Sequence, residues 1–186
     1  MSDALSQSVS FDYLYEEIIQ NVVSEQGQRH CWLWLTKRPH RMSKFSRWIE
    51  SKGIAWPSNL WAGTSITDQR STVRIGHLLR VGSADTIRFL SVEPQVEPLD
   101  LDPWLPDIDW ILHGGESGQG ARVFHVEWAL DLIQKCRQFG KPYFLKQLGS
   151  IVASDGQHQT FNRSHASDWN EWNPTLRVRE VPIPHA

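Results

Sequence analysis

Hydrophobic positions along this chain alternate between two kinds of stretch. Short, nearly continuous apolar runs occur at Cys31–Thr36, Asn59–Ile66, Thr86–Val92, Trp110–Leu112 and Pro142–Gln147. Such runs suit parallel strands buried on both faces. Between them apolar residues recur at helical spacing: Phe11, Leu14, Tyr15, Ile18, Ile19 and Val22, then Met42, Phe45, Trp48 and Ile49. Val73, Ile75, Leu78 and Leu79 form a third such face, and Val126, Ala129, Leu130 and Ile133 a fourth. Gly27, Gly53 and Gly140 stand where helices should stop, Pro39 where one can begin, and Asp68 where one can be capped. Pro94 restricts Glu93 to extended geometry and ends the third strand. The stretch from Pro98 to Pro106 is rich in proline and aspartate and reads as a loop with one short turn.

This alternation predicts an α/β fold, with about five parallel strands in sequence order and flanking helices. Either a partial (βα) barrel or an open parallel sheet fits, over residues 1–150. An open edge is expected rather than a closed barrel. From residue 151 to 186 the chain is polar and lacks periodicity, and it reads as a loosely structured extension folding over one end of the sheet. Its His158 and His165 have no metal-ligand spacing.

The arrangement gives position its meaning, because parallel strands place all their carboxyl ends on one side, where ligands bind. Polar groups collect there: Thr36, Lys37 and Arg38; Thr64 and Ser65; Ser91 and Glu93; Glu116 and Ser117; Lys146 and Gln147. The central stretch is Asp109–Arg122, DWILHGGESGQGAR, a strand, then Gly114-Gly115, then Glu116, two further glycines and Arg122. Glycine lets backbone N–H groups approach a ligand closely. The loop is neither a Walker motif nor a dinucleotide fingerprint, since no Gly-Lys-Ser/Thr and no third glycine follow. The ligand-binding candidates are therefore Lys37, Arg38, Ser65, Glu93, Gly114, Gly115, Glu116, Arg122, Lys146 and Gln147. Opposite charges at one mouth suit a ligand bearing both an amine and a carboxylate, or a phosphate. The bland alternative is an ion-pair network that keeps the strand ends solvated. His113, inside its strand, reads as a hydrogen-bonded core residue. No catalytic residue and no metal ligand is identified.

Composition narrows this picture. A net charge of −2 and a pI near 6.4 advertise no polycationic surface. Ten tryptophans are many, and most lie on apolar periodic stretches, so core packing is their expected use rather than base stacking. The two cysteines, Cys31 and Cys136, read as buried thiols rather than a disulfide framework. No apolar run has the ~20 residues of a membrane span, and no signal peptide precedes the first helix, so a cytoplasmic location and no membrane partner are expected.

The series LTKRPHRM (Leu35–Met42), NLWAGTSITDQ (Asn59–Gln69), RFLSVEP (Arg88–Pro94), DWILHGGESGQGAR and PYFLKQLG (Pro142–Gly149) resembles the phage protein gp thirty-seven/sixty-eight family. That family occurs in phages and bacteria and is functionally uncharacterised. The resemblance covers Phe11 to Gly149, with the motifs in the same order. Full-length members carry an N-terminal cysteine motif similar to the cluster-binding loop of radical S-adenosylmethionine enzymes, which implies a radical-SAM-like partial (βα) barrel. The Gly-Gly-Glu loop and neighbouring strand ends would line its substrate or cofactor mouth. This chain departs from the pattern, because the cysteine motif and about two leading βα units are absent ahead of Phe11. Two distant cysteines do not hold a four-iron cluster. The expectation is a C-terminal half barrel with no cofactor of its own, S-adenosylmethionine and the cluster requiring the N-terminal part. Its expected partners are a cysteine-bearing N-terminal chain or a second copy. The competing reading is a non-catalytic nucleotide- or nucleic-acid-binding module, drawn from the basic stretch Lys37, Arg38, Arg41, Lys44 and Arg47.

Overall fold

A computed structural model describes residues 4–183. Five strands, β1 (Trp32–Thr36), β2 (Leu60–Ser65), β3 (Arg88–Val92), β4 (Trp110–Gly114) and β6 (Tyr143–Gln147), form a parallel sheet in the order β1-β2-β3-β4-β6. The sheet is open, as the alternation of runs requires. A second, small sheet has the order β5-β7-β8, from Phe124–His125, Val152–Ser154 and Gln157–Gln159. The chain divides into two compact units. One holds the described residues up to Thr64 with Val73–Phe89, and the other Ser65–Thr72 with Leu90–Ile183.

In the first unit β1 pairs with β2 in parallel register, Trp34 opposite Ala62. Helix α1 (Phe11–Leu14) passes through a π-helical turn, Tyr15–Ile19, into α2 (Gln20–Val23). Helix α3 (Pro39–Glu50) begins with proline at its first turn, where the missing N–H costs nothing. It buries Met42, Phe45 and Ile49. Phe45 meets Trp34 at 5.7 Å and Phe11 at 5.5 Å between ring centroids, and Trp34 stacks on Trp56. The side-chain amide of Asn59 donates toward the carbonyls of Val22, Gly27 and His30, tying the end of α2 to the start of β2.

The third periodic stretch corrects one expectation. Asp68 does cap, accepting from Ser71 N–H at 2.8 Å, but it caps a 3₁₀ segment, Gln69–Arg74. Only Ile75–Leu78 is α-helical (α4), and Val73 is exposed. Ser71 competes for the backbone here, its hydroxyl bonding Asp68 O and accepting from Thr67 and Asp68 N–H.

In the second unit α5 (Val126–Gln138) packs on β4 and β6 through Ala129, Leu132, Ile133 and Cys136. The tail is more ordered than its composition indicates. It supplies the β7–β8 hairpin, and Trp172 and Leu176 are buried. Its last described stretch lies along β6: Leu145 N–H donates to Val178 O, Glu180 N–H to Tyr143 O, and Trp110 Nε1–H to Glu180 O. Arg179 lies over the rings of Phe144, Trp169 and Trp172. That edge of the sheet is therefore covered.

At the other end of the strand order, β1 keeps Leu33 and Leu35 49% and 44% exposed. Cys31, just ahead of it, is exposed and not buried as its apolar run suggested, because it precedes a terminal strand. Cys136 is buried as expected. Trp34, Trp61, Trp110 and Trp172 are core residues, whereas Trp32 and Trp169 are partly exposed. No helix among the described residues is long and apolar enough to cross a membrane.

The two faces of β1 respond differently to mutation. Phe45→Ala, emptying the Trp34 pocket, should cost about 3–5 kcal/mol in urea unfolding. Leu35→Lys should change stability by no more than about 0.5 kcal/mol, the usual bound for a surface site. Equal losses from both would contradict the burial assigned to β1.

Candidate functional site

The second unit gathers most of the sequence-marked residues. Strand β3 ends at Val92, and Glu93 follows on a cis peptide to Pro94. Glu93 Oε2 accepts from Lys146 Nζ at 3.1 Å, and its Oε1 accepts from Gln147 Nε2 at 3.0 Å. The Glu93 side chain is only 18% exposed, while Lys146 is 59% exposed. A carboxylate from one strand end is thus held between a cation and an amide from another.

The register of β4 against β6 explains why these groups meet. Pairing runs evenly from Ile111–Tyr143 to His113–Leu145, then shifts so that Gly114 faces Gln147. That irregularity turns Gln147 back across the strand end, where its amide also reaches Gly115 O at 3.4 Å. Gly115 N–H donates to Gln147 O at 3.2 Å. A Cβ on Gly115 would overlap the Leu148 carbonyl, and one on Gly114 would come within 3.3 Å of Glu93 Oε1. Gly115 thus needs glycine for close approach, and at Gly114 a side chain would require its neighbours to give by a few tenths of an ångström.

Glu116 belongs to a separate pairing in the same loop. Arg122 donates through Nε at 2.7 Å, through Nη2 at 2.8 Å, and through its backbone N–H at 2.9 Å. This fork closes the loop on itself. The Arg122 side-chain and backbone bonds hold the Glu116 carboxyl down at about 2. Glu116 O accepts from Ser150 N–H, and Ser150 Oγ accepts from Gly118 N–H, so the loop is tied to the start of the tail.

His113 is a core residue, as read. Its Nδ1 lies 2.6 Å from Tyr143 OH, and its ring packs against Phe124 at 5.2 Å. Burial depresses its pKa to about 3 and raises that of Tyr143. Ser65 ends β2 and is buried. Lys37 and Arg38 follow β1 in the first unit. Arg38 N–H donates to Thr36 Oγ1 at 2.9 Å, and Lys37 is exposed. Gln147, brought to Glu93 by the shifted register, is the member whose role sequence order alone does not reveal.

The fold is an open-sheet α/β one, with the paired charges of Glu93 and Lys146 and of Glu116 and Arg122 placed after parallel strands. The family described as "Protein of unknown function (DUF5131)" matches residues 1–175, and the chain belongs to it. No curated protein and no solved structure matches the chain.

The Glu116–Arg122 fork has a checkable titration. The carboxyl titrates lower folded than unfolded, so the fork stabilises fully above pH 4.5 and is lost as pH falls towards 2. Carboxyl NMR should find a Glu116 midpoint near 2, moving up towards the usual carboxylate range in Arg122→Gln, which keeps only the backbone bond. An unchanged midpoint in that variant would remove Arg122 as the cause.

Proposed function

We propose that this chain is the ligand-binding, C-terminal half of a radical-SAM-like (βα) barrel from a phage-related family, working in the cytoplasm. The motif series supports the resemblance, and the sheet with its charged strand ends supports the role. The carrying observation is Glu93, largely shielded from solvent and held by Lys146 and Gln147. A ligand with an ammonium and a carboxylate would exchange into that pair, its ammonium taking Glu93 and its carboxylate Lys146. The methionyl part of S-adenosylmethionine has this chemistry. A phosphate suits the mouth less well, because Glu93 and Glu116 would both repel it.

The cluster itself does not fit this chain's residues. A four-iron cluster takes at least three protein thiolates. Here there are two cysteines, one of them buried, its thiol pushed up to about 12 by burial. Among the described residues no group of three or more His, Cys, Asp and Glu could hold a metal ion. Cluster chemistry therefore belongs, in this reading, to a cysteine-bearing part other than these residues, a partner chain being one source of it. Self-association through β1 is the alternative partner arrangement.

Calorimetry with S-adenosylmethionine, S-adenosylhomocysteine and methionine tests the reading. Binding should be saturable and about tenfold weaker or worse in Glu93→Gln, as for loss of a charged hydrogen bond. No binding of any of the three, or binding indifferent to Glu93→Gln, would contradict it. Oligonucleotide binding with a steep salt dependence would instead favour the non-catalytic nucleic-acid-binding module.

A further inference from the structure

The first unit holds a second concentration of charge that the mouth does not use. A cavity of about 320 Å³ is lined by Ser6, Gln7, Arg38, His40 and Arg41. We propose that this cavity binds the phosphate group of a small phosphomonoester, independently of the Glu93 mouth.

Among the described residues the cations here are held by neutral groups. Arg38 donates through Nη1 to Leu5 O at 3.4 Å, and Arg41 through Nη2 to Val9 O. Arg41 also lies over the Phe11 ring, 4.8 Å from its centroid. These acceptors are neutral carbonyls and a ring, so they fix the guanidinium groups in place without cancelling charge. Among the described residues no carboxylate pairs with Arg38, Arg41 or Lys44. Arg41 Nε is a buried donor with no hydrogen-bond partner.

Further features report on this concentration of cations. The His40 ring stands 6.0 Å from that of His77. Burial, then His77, Lys44, Arg38 and Arg41, hold its pKa below the ordinary 6.5. Helix α3 also starts here, with Arg38 at its N-cap making no side-chain cap bond. Ser6 and Gln7 add neutral polar groups to the wall. The volume is at the small end of ligand pockets, and the cations converge on one space rather than tracking a groove. That favours one phosphate on a small molecule over a nucleic-acid strand.

The test is titration of the whole chain with inorganic phosphate, with adenosine monophosphate, and with a short single-stranded oligonucleotide. Phosphate should bind saturably at one site, and saturation should move the His40 NMR titration upward, whereas chloride at equal ionic strength should not. Arg38→Gln should weaken phosphate about tenfold, the scale of one lost charge-assisted hydrogen bond. Because Arg38 also anchors Leu5, His40→Ala serves as a second variant and should weaken binding too. Lys146→Gln should leave phosphate binding unchanged. Adenosine monophosphate should compete for the same site. The proposal fails if folded protein shows no saturable phosphate binding, if both first-unit variants bind normally, or if Lys146→Gln abolishes binding. It fails equally if only the oligonucleotide binds, with a steep salt slope, since the surface is then a strand-binding face.

Discussion

The close approach of two strand ends governs the candidate mouth. Gly115 lies so near the Leu148 carbonyl that no side chain fits, and a Cβ at Gly114 would stand 3.0 Å from the Gln147 carbonyl and 3.3 Å from Glu93 Oε1. The register shift between His113 and Gly114 is a local departure that re-aims side chains, as bulges beside functional sites commonly do.

Around this contact the charges sort by how tightly they are held. Glu116 is satisfied by a three-bond fork from Arg122 and closes its loop, a structural use of the ion pair. Glu93 is different. It is mostly shielded, while its cation is well exposed and reachable from solvent. An exposed lysine contributes little as a salt bridge, so its exchange for a ligand's ammonium costs little. This contrast separates a pair that orders a loop from the pair proposed to open to a ligand.

Much of the frame was legible beforehand, because apolar runs and helical spacing report burial directly. All five strands lie where their runs are, and Gly53 and Gly140 adopt the positive φ expected beyond a helix end. What was not legible depends on contacts distant in the chain. Cys31 looked buried because its neighbours are apolar, yet it precedes a terminal strand. The polar tail looked loose, yet Trp172 and Leu176 anchor it, and Arg179 lies across three rings that sequence scatters widely. At the candidate site, Glu93, Glu116, Lys146, Gln147 and the glycine pair are marked by their place after strands. The role of Gln147 depends on a one-residue shift that no local pattern encodes.

In the proposed function Glu93, Lys146 and Gln147 form one ligand-exchangeable cluster. The Gln147 side-chain amide reports on it directly, since Nε2 donates to Glu93 Oε1. Its nitrogen and proton resonances can be followed during titration with S-adenosylmethionine. Gln147 and Lys146 signals should shift together and saturate with a single binding curve, while the Arg122 Nε signal stays in place. Signals at Gln147 and Lys146 that do not move at saturating ligand would contradict it.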